Sequence, residues 1–355
     1  MNNASLAALA IGVLWVVYKT HNKSSPPPKE KEKEKPKKTR TTPQEWLAFA
    51  VTRMKRCVPP RQSNFRVYAI LTWTNTTTGE TGWVSGTNSE SAYIGGSLCA
   101  ERAAAVQLRE LDVTCKVTAV YLCSDLLNSP ITPGVLCREY LLSCVDPDVP
   151  IWLTTADNSI IRQTSLRTLY PFPSIFEGVD RQQLVLTARD CCNQVTKCLP
   201  AGELWPCTLT PSKGENTWSL MITKAIQAAK NDTLGGSMHP VRYGACMEFS
   251  DGSFVLGWQT AGLEYGTTLD AVTSMLREME AKCNQSSPTP IYPVRLVQVD
   301  QFGNLHAPFA PARAQLFERD YGKLLVGVDD RRGIRKSVAL KLLVPDCPKM
   351  SEIWS

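Results

Sequence analysis

From residue 43 onward the apolar and polar positions form a series of short elements. Thr42-Pro43-Gln44-Glu45 is a helix start, and Trp46 to Val58 follows with helical spacing. Phe65 to Trp73 alternates in a β-rich run. Asn75 to Gly82 is a polar turn and Gly82 to Gly86 the returning strand, so a hairpin is predicted. Ser97 to Leu111 reads as a helix, Val117 to Cys123 as an apolar strand, Arg138 to Cys144 as a helix and Val149 to Thr154 as a strand. Helix, hairpin, helix, strand, helix, strand is the order of a layered α/β domain with a mixed sheet flanked by helices.

The order then recurs. Tyr243 to Phe249 and Ser253 to Trp258 form a second hairpin around Asp251-Gly252. Thr268 to Cys283 is a helix, Val294 to Asp300 a strand, Ala312 to Tyr321 a helix and Lys323 to Gly327 a strand. Gly86 precedes Cys99 by thirteen positions, as Gly257 precedes Asp270, and the segment Pro133 to Arg138 matches Pro308 to Arg313. A tandem duplication is expected on this ground. The expected division is an anchor over 1–18, a linker over 19–42, a first domain over 43–160, a Pro- and Cys-rich connector over 161–217, and a second domain over 218–346.

The first eighteen residues carry no charged side chain, and the positive charge follows them. The apolar part, Ala4 to Tyr18, is somewhat shorter than the ~20 residues that span a bilayer. With basic residues behind it, this stretch predicts a single-pass anchor with the body facing the cytoplasm, on the endoplasmic reticulum or the mitochondrial outer membrane. A cleaved targeting segment is the alternative. Lys19 to Thr42, with Pro26-Pro27-Pro28 and alternating Lys and Glu, is a solvated spacer.

Charge sharpens the picture. The net charge is +6, and Lys19 to Arg40 holds nine basic and three acidic residues, so the rest of the chain is neutral. A neutral body argues against a nucleic-acid partner, whose phosphates are neutralised by Lys and Arg. The thirteen cysteines follow no disulfide spacing and predict reduced thiols. The three histidines are His21, His239 and His306, so the first domain has no histidine for a metal or a base.

Candidate chemistry lies in three blocks: Gly86-Thr87-Asn88-Ser89-Glu90, Cys99-Ala100-Glu101-Arg102, and Pro133-Gly134-Val135-Leu136-Cys137-Arg138. Cys99 and Cys137 each stand at a predicted helix start, where the dipole and free amides favour a thiolate. Two such starts facing each other make a metal pocket, and Glu101 points into it without being a ligand. Taken singly, a cysteine is a small core residue and a glutamate near a helix start complements the dipole. The three blocks in this order mean more than any one of them.

Together they resemble the cytidine deaminase family, whose pattern is N-x-E, then C-A-E-R, then P-C-x-x-C-R. The resemblance covers about residues 45 to 155, and the doubled arrangement resembles the two-domain, dimeric branch of that family. It implies a three-layer cytidine-deaminase-like fold, one zinc ion per chain on Cys99 and Cys137, Glu101 as proton shuttle, Asn88 and Glu90 on the ribose hydroxyls, and Arg102 supporting the thiolates. The implied activity is hydrolytic deamination of free cytidine or deoxycytidine to uridine or deoxyuridine in pyrimidine salvage, by a homodimer. One position departs. Gly134 stands where the family has its third cysteine, and a catalytic zinc normally takes three protein ligands. In the second copy Asn88, Glu90, Cys99, Glu101 and Cys137 become Gln259, Ala261, Asp270, Val272 and Ala312, so a structural role is expected there. The alternative function is a membrane-tethered pseudoenzyme that keeps the fold for binding or assembly.

Overall fold

The computed structural model describes residues 40–91, 94–111, 114–174, 215–232, 241–260, 268–329 and 335–347. The expected anchor at 1–18 and nearly all of the linker lie outside them. No helix among the described residues is long and apolar enough to cross a membrane. The longest, Glu215–Ala229, has 15 residues and rises roughly 22 Å, short of a ~30 Å hydrocarbon core. Its buried residues Met221, Ile222 and Ala225 pack under a sheet. The expectation of a membrane-anchored, single-pass protein is therefore withdrawn, and with it the assignment of the body to the cytoplasmic side.

Residues 42 onward form one body with two mixed sheets flanked by helices. Its first half runs α1 (Pro43–Met54), β1 (Val67–Asn75), β2 (Thr81–Thr87), α2 (Ala100–Gln107), β3 (Cys115–Ser124), α3 (Val135–Leu142), β4 (Pro150–Thr154), β5 (Ile161–Ser165) and the single turn α4 (Leu166–Leu169). The second runs α5 (Glu215–Ala229), β6 (Tyr243–Phe249), β7 (Phe254–Trp258), α6 (Leu276–Cys283), β8 (Pro293–Asp300), β9 (Leu305–His306), α7 (Ala310–Glu318), β10 (Leu325–Asp329) and β11 (Arg335–Ala339).

Helix α1 starts where the sequence signals it. Thr42 accepts from the Glu45 amide while the Glu45 carboxylate accepts from the Thr42 amide, and Pro43 opens the first turn. Strand β1 differs from its expected alternation, because both faces of the sheet are covered. Tyr68 and Ile70 pack under α1 with Ala119, Tyr121 and Cys123 of β3. Ala69 and Leu71 pack on the other side with Val120, Leu122 and the α2 residues Ala100 and Ala104.

The first sheet has the order β2-β1-β3-β4-β5, with only the β3–β4 pair parallel. The second has the order β7-β6-β8-β10-β11, with only the β8–β10 pair parallel, and β9 lies against β8. Strands β5 and β11 carry no clear sequence signal. Their exposed edges hold polar residues, such as Arg162 and Gln163 in one and Lys336 in the other. The helix expected over Thr268 to Cys283 is shorter. A 3₁₀ turn at Thr273–Met275 precedes α6, because Asp270 folds back on the amides of Val272 and Thr273.

The halves meet around two fully buried arginines on α3 and α7. Arg138 donates to the carbonyls of Pro133 (2.7 Å) and Leu169 (2.7 Å) in its own half, and to Pro345 (2.7 Å) and Asp346 (3.2 Å) in the other. Arg313 repeats this, donating to Pro308 and Leu343 in its own half and to Phe172 and the Ser174 hydroxyl in the other. Its guanidinium lies 4.1 Å from the Tyr170 ring centroid. Between them the Glu139 carboxylate accepts from the Tyr170 hydroxyl, the Ser174 hydroxyl and the Ala310 amide at the start of α7.

Gly86 sets how close α2 comes to the sheet. A Cβ there would stand 2.5 Å from the Ala100 carbonyl oxygen and 2.5 Å from the Ala104 nitrogen. Replacing glycine with alanine ordinarily gains about 0.4–1 kcal/mol by stiffening the unfolded chain. Overpacking against backbone costs about 1–3 kcal/mol, so the clash wins. Gly86→Ala is expected to lower stability by a net ~1–2 kcal/mol in urea unfolding. A variant as stable as the parent would show that α2 is not seated on Gly86.

Candidate metal centre

Cys99 is the residue just before α2, with extended backbone and no side-chain cap bond. Glu101 lies in the first turn of α2 and is only 4% exposed. Gly134 holds the same place before α3, and Cys137 lies in the first turn of that helix, buried. Arg138, the next residue, anchors α3 through the carbonyl contacts above. The two helix starts face each other, and the ligand atoms of Cys99, Glu101 and Cys137 all lie within 4.8 Å of one another.

Arg102 completes the cluster. Its guanidinium donates to the Ser97 carbonyl at 3.2 Å and to the Cys99 sulfur at 3.5 Å. The Cys137 thiol donates to Cys99, and with Arg102 alongside, this outweighs burial and lowers Cys99 to about 6. The Cys137 and Arg102 contacts thus favour the thiolate form of Cys99. Cys137, its donor and itself buried, is pushed well above the ordinary thiol range. Burial, aided by the charge on Cys99, raises Glu101 to about 7. Two sulfurs and a carboxylate suit a zinc ion by softness. As three ligands they meet the usual number only when Glu101 is counted.

A small antiparallel bridge brings the first block to this pocket. Ser89 and Leu98 exchange amide–carbonyl bonds at 2.8 and 2.9 Å. In extended backbone, alternate residues share a face, so Asn88 and Glu90 lie on the face that also carries Ser97 and Cys99. Both side chains have protein partners. Asn88 accepts from the Val67 amide and donates to the Phe65 carbonyl, each at 2.8 Å. Glu90 accepts from the Gln62 amide at 3.0 Å, the Ser63 amide at 2.8 Å and the Ser63 hydroxyl. Burial works against the charged form of Glu90, yet these donors hold it below the usual carboxylate range. Sequence reasoning missed Ser63, which has no motif and meets Glu90 only through the fold.

Two other cysteines near in sequence do not reach the site. Cys123 points to the α1 side of the sheet, bonds the Tyr68 carbonyl at 3.8 Å and is raised by burial to about 12. Cys144 bonds the Tyr140 carbonyl at 4.0 Å, and burial raises it too. In the second half a bridge between Thr260 and Leu269 repeats the local frame. There Gln259 donates to Asp232 at 3.4 Å, and buried Val272 and Ala312 stand where Glu101 and Cys137 stand in the first half. Ala261 lies outside the described residues.

No family model matches this chain, and no curated protein does. Among solved structures, the chain is similar to the cytidine deaminase from Burkholderia pseudomallei, with 26% identity over 38% of this chain and 99% of that one at a TM-score of 0.32. It is also similar to the cytidine deaminase from Mycobacterium tuberculosis, with 25% identity over 37% and 95% at 0.30. The cytidine deaminase from Mycobacterium leprae gives 21% identity over 36% and 97% at 0.30.

Proposed function

We propose that the first half is a zinc-dependent hydrolytic deaminase of free cytidine or deoxycytidine. The observation that carries this reading is the meeting of Cys99, Glu101 and Cys137 at two facing helix starts, beside Arg102. Cys99 and Cys137 would hold the zinc, which supplies, when bound, a water made acidic enough to attack near neutral pH. Glu101, at about 7, is poised both to take a proton from the attacking water and to give one to the departing amine. Arg102 keeps Cys99 charged. Asn88 and Glu90, fixed by their partners on the face beside Cys99, would receive the ribose.

The second half is read as a duplicate that has lost the site and serves as a brace. Supporting this are the identical strand order and sense of the two sheets, the two bridges, and the paired arginines. A second reading, a deaminase-like fold kept for binding alone, is favoured by Gly134 and by the scaffold bonds that already engage Asn88 and Glu90.

Two experiments bear on this reading. Wild-type protein supplied with zinc is expected to release uridine from cytidine, and Glu101→Gln to lose roughly 10²–10⁴-fold in kcat with its fold intact by circular dichroism. Zinc-loaded protein that gives no uridine would move the reading to the binding role. The second experiment follows the thiolate. In metal-free protein, Cys99 should react with iodoacetamide at a rate that rises with pH and is half-maximal near 6, while Cys137 lags, as peptide mass spectrometry would follow. Zinc should suppress both. A midpoint at 8 or 9 would mean that Arg102 and Cys137 do not act on Cys99.

A further inference from the structure

The site holds a contradiction. Glu101 is needed as a mobile proton carrier, yet without it a zinc ion would have two protein ligands. We propose that the Glu101 carboxylate is itself the third ligand of the resting site, standing in for the cysteine that Gly134 replaces. This rests on the reading that Cys99 and Cys137 hold the metal.

Three observations carry it. The first is geometric: the carboxylate oxygen and the two sulfurs lie within 4.8 Å of one another, close enough for one ion to touch all three. Glu101 is buried there and already hydrogen-bonded to Cys137, so it needs no large movement to become a ligand. The second concerns what else could fill the place. Gly134 has extended backbone at the start of α3, and an ideal Cβ built on it meets no atom within 4 Å. Among the described residues none has moved in to replace a thiol from that side. Cys123 and Cys144 are tied elsewhere, and among the described residues no histidine approaches. The third is charge. Two thiolates and one carboxylate around a zinc ion carry a net charge of −1, and the Arg102 guanidinium beside Cys99 cancels it. A buried centre of zero net charge avoids the large cost of an uncompensated ion.

The consequence is a trade between roles. While Glu101 is bound to the metal it cannot accept a proton, so each turnover must begin with its release. Restoring a thiol at position 134 would leave Glu101 free.

The test is a cycle of zinc affinities on the full chain, measured by competition with a chromophoric chelator. It uses wild type, Glu101→Gln, Gly134→Cys and the double variant. If Glu101 is a ligand, Glu101→Gln weakens zinc binding to the wild-type frame by at least about 10–100-fold, the loss that even outer-shell partners cause. In the Gly134→Cys frame the same change has an effect several-fold smaller. With cobalt(II) in place of zinc, the thiolate charge-transfer band should stand in the ratio of three sulfurs to two between Gly134→Cys and wild type. Equal losses in both frames, or no loss in either, would overturn the inference. If Glu101→Gln leaves affinity untouched and abolishes turnover, Glu101 is a proton carrier only, and the deaminase reading survives without this addition. If neither wild type nor Gly134→Cys takes up zinc, both fall.

Discussion

Two guanidinium groups without solvent hold this molecule in register. Arg138 and Arg313 are fully buried, and both donate to carbonyl and hydroxyl oxygens. A buried charge must find a complete set of acceptors or destabilise the fold by several kcal/mol. Each arginine therefore constrains the start of its own helix, the turn after its own sheet, and a strip of the opposite half. The Cys99, Glu101 and Cys137 cluster depends on this indirectly. Arg138 fixes the Pro133 carbonyl just before Gly134, so it also fixes the helix start that presents Cys137.

The aromatic layer under α1 does comparable work on the far face of the sheet. Trp46 stacks on Tyr121 at 5.8 Å and meets Trp83 edge-on at 6.2 Å, while Phe49 meets Trp83 at 5.4 Å. This layer covers the side of β1 and β3 that α2 and α3 do not. Strand β1 is therefore an interior strand covered on both faces, and the cluster sits on a sheet buried on both sides.

Much of the candidate cluster was legible because its signals are local. Cys99, Glu101 and Arg102 fall within one turn, Gly134 and Cys137 within another, and each turn opens a helix of recognisable composition. The hairpins were legible for the same reason. What escaped depends on residues far apart in the chain. Ser63 finds Glu90 only when the loop before β1 folds over it. Two of the carbonyls that receive Arg138, those of Pro345 and Asp346, lie 207 and 208 positions away. Strands β5 and β11 are edge strands with polar faces, and such strands lack the apolar rhythm that reveals an interior one. The extent of the helix expected at Thr268 was misjudged because an aspartate can hydrogen-bond to the amides that follow it, and periodicity does not register that competition.

That aspartate separates the local backbones of the two halves. Asp270 takes the amides of Val272 and Thr273 and the Thr273 hydroxyl, and the chain beyond it tightens into a 3₁₀ turn before α6 begins. The second half therefore has a different backbone at this point from the start of α2, and a cysteine at position 270 would lose the carboxylate bonds that shape this turn. At Gly134 the backbone still has the extended shape of a residue before a helix, with room beside it. One helix start is closed by its own aspartate, while the other keeps open space beside its N-cap residue.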